Sequence, residues 1–197
     1  MKQAHYILDR CKYTLGVACA FILFTPFHLG GSLAWSQEDN KGLVSYHNKI
    51  LKTFPNVEHI GRTDFKQNLA PKDPVLFDVR EQAEYDVSHI KGAYFVPPNM
   101  SAEDFYDEYG ELIKGRDIVV YCSVGWRSSK FASRIMSDIE AYEVQSLYNL
   151  RGGIFGWHND EERLSRFEKS VDVVHPYSRW RARLIERQDK ISYSPKP

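Results

Sequence analysis

Residues 118–128 read Ile-Val-Val-Tyr-Cys-Ser-Val-Gly-Trp-Arg-Ser. Ile118 to Tyr121 is an apolar, β-branched run of the kind that fills a buried strand, and it delivers the chain directly to Cys122. From Ser128 to Ile139, the residues Phe131, Ala132, Ile135, Met136 and Ile139 recur on one helical face. A strand, a short loop and a helix in that order let successive backbone N–H groups converge on one point as an anion cradle. Gly125 allows the loop a positive φ, and the helix directs its positive dipole end at the same place. A thiol held there ionises more readily, because each nearby donor favours thiolate over thiol. Arg127 adds a fixed charge and a planar fork suited to an oxyanion. The pattern predicts a cysteine nucleophile for substrates with an anionic leaving group, with no need of a histidine base.

Working outward, Val75-Leu-Phe-Asp-Val79 is a second buried strand, ending in a carboxylate and followed by Arg80. Val57–Ile60, Tyr94–Val96 and Val144–Leu147 read as further strands. Helices are expected over 43–53, from Thr63 or Asp64 to Leu69, over 81–85, after Ser101, and from Ile154 to about Phe167. Strands alternating with helices predict an α/β fold, with a mostly parallel central sheet and helices on both faces. Ligands in such folds sit beyond the carboxyl ends of the strands, where Asp78 and Cys122 both fall. Asp78 is expected to bond loop backbone or pair with Arg127 or Arg80, and His89 to be structural. The tail from Val171 is a mildly basic, Trp- and Tyr-containing extension, expected to pack on its own domain by its apolar residues.

Composition supports one globular domain with extensions. Of 197 residues, 43% are hydrophobic and 26% charged, enough to bury a core and too few residues for two full domains. Basic and acidic residues number 26 each, so no overall positive field draws the chain to nucleic acid. Three cysteines cannot form a disulfide scaffold. The seven histidines lack metal-ligand spacing, and no Gly-rich nucleotide fingerprint occurs, so neither a metal nor another cofactor is expected.

Residues 1–36 stand apart. Lys2, Arg10 and Lys12 precede an apolar run from Leu15 to Phe24, and Ala34-Trp35-Ser36 offers a small-x-small end before a polar stretch. That order predicts a secretory signal peptide, or alternatively a membrane anchor over residues 15–33. Cleavage after Ser36 would remove three basic residues and one acidic residue, leaving 23 and 25 and a net charge of −2. Cys11 and Cys19 would go too, leaving Cys122 without a partner in its own chain. The expected organisation is residues 1–36 as leader, 37–56 as lead-in, 57–168 as catalytic domain and 169–197 as extension. The expected location is the periplasm.

Four segments together carry a resemblance. Leu76-Phe-Asp-Val-Arg80, Glu84-Tyr85 with His89-Ile-Lys-Gly-Ala93 and Val96-Pro97, Tyr121-Cys-Ser-Val-Gly-Trp-Arg-Ser128, and Leu150-Arg-Gly-Gly153 through Trp157 resemble, in order and spacing, the rhodanese or thiosulfate sulfurtransferase domain. The loop from Cys122 to Arg127 counts six residues. By resemblance this is the sulfurtransferase length, one shorter than in the related phosphatases and arsenate reductases. The resemblance implies that Cys122 takes a sulfane sulfur from a thiosulfate-like donor and passes it from a persulfide to a thiol, a protein cysteine or cyanide. It implies that Ser123, Val124, Gly125, Trp126, Arg127 and Ser128 hold substrate and persulfide, with Asp78 and Arg80 behind them. The alternative is a partner-docking or thiol redox module on the same fold.

Overall fold

The computed structural model describes residues 40–195. The leader, the alternative anchor at 15–33 and Cys11 and Cys19 lie outside the described residues. No helix among the described residues is long and apolar enough to cross a membrane.

The first described element is helix α1 (Lys41–Thr53), capped by the Asn40 side chain accepting from the Leu43 amide. Strand β1 (Glu58–Ile60) leads to a short helix α2 (Arg62–Asp64), which runs on as a π turn over Phe65–Leu69. Strand β2 (Val75–Asp78), helix α3 (Gln82–Val87) and strand β3 (Tyr94–Phe95) follow. Ser101 caps helix α4 (Ala102–Ile113), accepting from the Asp104 amide at 3.0 Å. Strand β4 (Asp117–Tyr121), helix α5 (Trp126–Ile135), strand β5 (Ser146–Leu150) and helix α6 (Gly153–Asn159) complete the α/β core. A hairpin of β6 (Leu164–Arg166) and β7 (Lys169–Val171) then leads into the extension.

The sheet has the order β1-β5-β4-β2-β3, and each of its pairs is parallel. Alternation along the central strand sorts the two layers. Ile118 and Val120 pack with Phe105, Tyr106, Ile113, Phe131 and Ile135, the faces of α4 and α5. Val119 and Tyr121 pack on the other side with Leu43, Phe65, Ile154 and Phe155, together with Val174 and Ile185 of the extension. The expected architecture of a parallel sheet between two helical layers is therefore present. The extension does pack on the domain by its apolar residues, since Val174 and Ile185 are buried.

Three expected elements are redrawn. The helix expected over 128–139 starts two residues earlier and ends at Ile135, whose carbonyl accepts from the Tyr106 hydroxyl. The strand expected over 144–147 runs instead to Leu150. Val144 is tied into a turn by its amide bond to Ile139, and the polar Asn149 that hides the strand's true end is buried. The last helix stops at Asn159, not Phe167. Asp160 is drawn into a buried ion pair with Arg62, Glu161 takes a φ of +61°, and Ser165 bonds His89 backbone to backbone at 2.7 and 2.9 Å. Leu164 enters the core from a strand, while Phe167 and Glu168 turn the hairpin at positive φ.

Candidate active site

Strands β2 and β4 end side by side, with Asp78 opposite Tyr121 in register. The loop after β4 therefore opens at the carboxyl edge of the sheet, beside α3. Gly125 sits at φ +99° as the residue before α5, the conformation glycine adopts without penalty. The first amide bond of the helix runs from Ser129 to the Gly125 carbonyl at 3.1 Å. The amides of residues 126–128 consequently have no partner within the helix and belong to the cradle.

Cys122 lies inside this turn, 1% exposed. Its Sγ accepts the Gly125 amide at 3.2 Å. Burial pushes the Cys122 thiol up. The Arg127 charge, the Ser128 hydroxyl and amide and the Val124 amide pull it down further, so the thiol ionises below its ordinary range. The Ser128 hydroxyl also reaches Asn149 Oδ1 at 2.6 Å, and its single proton serves one acceptor at a time. Alkylation of Cys122 by iodoacetamide should accordingly show a pH midpoint below the free-cysteine value of about 8.5. A midpoint at or above that value would remove the cradle's influence on the sulfur.

Of the expected site residues, Val124, Gly125, Arg127 and Ser128 act on the Cys122 sulfur, while Ser123 turns its hydroxyl to Glu84 and Trp126 turns its ring to Phe54. Arg127 is not open-handed. Its two terminal nitrogens donate to the Glu84 carboxylate at 2.6 and 2.9 Å, and one of them also to Ser123 Oγ at 2.9 Å. Its Nε has no hydrogen-bond partner. Ser123 Oγ in turn donates to Glu84 at 2.9 Å. The fork available to a substrate oxyanion in the sequence is thus already filled by Glu84. What Arg127 offers the sulfur is its charge, at a range where its side chain also bonds Cys122. Burial pushes the Glu84 carboxyl up, but the Arg127 bonds, the Arg127 charge and the Arg80 charge outweigh it and hold Glu84 below its ordinary range.

Asp78 and Arg80 form a fully buried bidentate pair at 2.6–3.1 Å, and Arg80 also donates to the Ser88 carbonyl at 2.6 Å. The pair fixes the end of β2 and the turn after α3, which is the route by which it positions Glu84. Of the partners expected for Asp78, Arg80 is the one it takes. His89 stacks on Tyr85 with 3.9 Å between ring centres and 6° between planes. Trp126 meets Phe54 edge-on, with 5.4 Å between ring centres.

Sequence reading missed three contributors. Glu84 was visible only as part of a motif, and its partner lies 43 positions away. Asn149 sits within a strand and links Ser128 to His59, its Nδ2 lying 3.1 Å from His59 Nδ1. His59 is lowered to about 4, by burial and then by the Arg151 charge, so the ring is neutral and Nδ1 accepts. The third is the extension. Tyr177, at φ +62°, lies under the Arg127 guanidinium, 4.6 Å from Cζ to ring centre. Among the described residues no group of three or more His, Cys, Asp or Glu side chains is arranged to hold a metal ion.

A buried, ionisable cysteine in an amide cradle at the end of a central parallel strand defines a class of cysteine-loop proteins built around an anion site. Residues 62–160 match the rhodanese-like domain, about half of the chain, and the chain belongs to that family. Family membership brings the handling of sulfur-containing substrates in general terms. Among curated proteins, the chain is 31% identical over 115 residues to a tRNA uridine(34) hydroxylase of Bacillus velezensis, covering 55% of this chain and 34% of that protein. It is 33% identical over 103 residues to the Bacillus cereus protein of the same name, covering 50% and 30%. The match thus spans about a third of those relatives. Among solved structures, the thiosulfate sulfurtransferase of Pseudomonas aeruginosa aligns at TM-score 0.48 and 18% identity, over 74% of this chain and 26% of that one. A rhodanese-like domain from Anabaena aligns at TM-score 0.44 and 23% identity, over 56% and 80%.

Proposed function

We propose that this protein is a sulfurtransferase that carries a sulfane sulfur on Cys122. The observation that carries this reading is the cradle. One thiol accepts a loop amide at 3.2 Å, meets the Ser128 amide at the start of α5, and is held below its ordinary range by Arg127 and its other neighbours. In the first half-reaction the thiolate attacks the outer sulfur of thiosulfate. A sulfur–sulfur bond forms to Cys122, the sulfur–sulfur bond of the donor breaks, and sulfite leaves with the electron pair. The persulfide's outer sulfur then holds the charge that the amides of Val124 to Ser128 are aimed at. In the second half-reaction a thiol, a protein cysteine or cyanide attacks that sulfur, and the Cys122 thiolate departs. The two half-reactions imply ping-pong kinetics.

The same reading sets this chemistry in an exported, periplasmic protein, on the basic, apolar and polar order of residues 1–36. The hydroxylase activity named for the curated relatives is not carried over, because the match spans only about a third of them.

Intact mass tests both points. Thiosulfate should add one sulfur atom, roughly +32 Da, to protein with a free Cys122, and cyanide should remove it. Protein recovered from the export compartment should begin at residue 37. A folded protein with a free thiol and no mass gain would end the sulfurtransferase reading and favour a docking module.

A further inference from the structure

Arg127 commits both terminal nitrogens to Glu84, which leaves a place for a second cation to meet an incoming anion. The extension supplies one. Arg181 stands on a short 3-10 turn (Arg181–Leu184), with its Cζ 4.5 Å from the centre of the Tyr177 ring and 5.6 Å from that of Tyr46 on α1. The Tyr177 ring is the one that Arg127 also covers, at 4.6 Å. The two guanidinium groups therefore share one aromatic ring, and Arg181 is one ring removed from the group that charges the thiolate. Arg127 is paired with Glu84, whereas no carboxylate among the described residues lies within ion-pair distance of Arg181. Its hold on place is aromatic, which leaves its donors for a ligand.

The surroundings support the same role. Tyr177 is 44% exposed and Trp180 75%, so the segment that presents Arg181 faces solvent. The segment is nonetheless anchored: Val174 and Ile185 are buried, Ser88 Oγ donates to the Val173 carbonyl at 2.6 Å, and Asn40 and Asn159 both donate to the Leu184 carbonyl. A cation on a fixed strap beside a nearly closed thiolate raises the local concentration of anions.

We propose that Arg181 is a specificity-determining residue of this site, which selects small sulfur oxyanions such as thiosulfate by receiving their charge at the mouth of the Cys122 loop. This rests on the sulfurtransferase reading for its substrate, but its electrostatic part can be measured without turnover. Iodoacetate and iodoacetamide both alkylate a thiolate, forming a carbon–sulfur bond and expelling iodide, and they differ in one negative charge. Arg181→Gln should slow iodoacetate by about five- to tenfold and leave the iodoacetamide rate in place. Arg181→Lys should recover most of the iodoacetate rate, because it restores the charge without the planar group. The kcat/KM for thiosulfate should fall by a similar factor in Arg181→Gln, and the loss should shrink as salt is raised.

An unchanged iodoacetate-to-iodoacetamide ratio in Arg181→Gln would overturn the assignment, whatever the turnover. Equal slowing of both reagents would overturn it as well, since that outcome means a disturbed fold. A wild-type protein that shows the charge-dependent ratio but takes up no sulfur would retain Arg181 as an anion receptor and refute the sulfurtransferase reading alone.

Discussion

Cys122→Ser is expected to lose sulfur transfer by at least about 10³-fold and to keep its fold. A hydroxyl can occupy the same buried position and accept the same Gly125 amide. At neutral pH it remains protonated, and it cannot form the persulfide on which both half-reactions turn. The structure also sets the sign of the stability change. In the wild type the Arg127 charge and the amides outweigh burial, so the folded site favours the thiolate and gains stability as pH rises through the folded Cys122 pKa. The serine variant carries no charge there and should therefore unfold slightly earlier, by about 1 kcal/mol. Thermal melting alongside a thiocyanate assay with thiosulfate and cyanide checks both halves. Surviving turnover would remove Cys122 from the chemistry, and a collapsed melt would make its role structural.

Gly153→Ala should be among the most damaging small substitutions in the chain. Gly153 takes a φ of +55°, and a methyl there would sit well inside contact distance of the Cys122 carbonyl and 2.9 Å from both the carbonyl carbon and oxygen of Ser123. All of these are backbone atoms of the reactive loop, so no side chain can swing aside. The same carbonyls accept the Ile154 amide at 2.9 Å and the Phe155 amide at 3.1 Å, which is how α6 clamps the loop from behind. Relieving the clash means breaking that clamp. A loss of about 2–4 kcal/mol is expected, with a fall in sulfur uptake in whatever protein stays folded. Gly115→Ala is the control. Its φ is +69°, and a methyl would meet nothing within 4 Å, so it should cost only about 1–2 kcal/mol of backbone strain. Matching losses at the two sites would mean that the contact with the loop is unimportant.

Local pattern made the centre of this structure readable and left its periphery hidden. Ile118 to Tyr121 could be identified as a buried strand because both faces are apolar, and the loop chemistry followed from residues that are neighbours in sequence. Asp78 could be placed at the same edge for the same reason. The helix expected over 154–167 failed because Leu164 and Phe167 fit a helical stripe by spacing, while Arg62, nearly a hundred residues earlier, captures Asp160 and ends the helix. Glu84 had the opposite difficulty. It was noticed as a motif letter, yet its bond to Arg127 depends on α3 returning to the β4 edge, which no periodicity encodes. Arg181 was one charge among several in a basic tail. Only the tertiary placement of Tyr177 and Tyr46 distinguishes it from Arg179 or Arg183.

The meeting of α1 with the extension carries a consequence for the order of folding. Asn40 bonds the Leu184 carbonyl, Gly42 packs directly on the Leu184 side chain, and Arg181 rests on Tyr46, so the first and last described segments hold one another. Strand β1 likewise pairs, among the described residues, with β5 alone, some ninety residues later. Such contacts close large loops and form slowly. A nascent chain can build the layer of α4 and α5 against β2 and β4 while the mouth of the site is still unmade. The thiolate pocket thus meets Tyr177 and Arg181 only after residues 174–185 emerge, and a ribosome stalled short of Arg181 would display the cysteine loop without that cover.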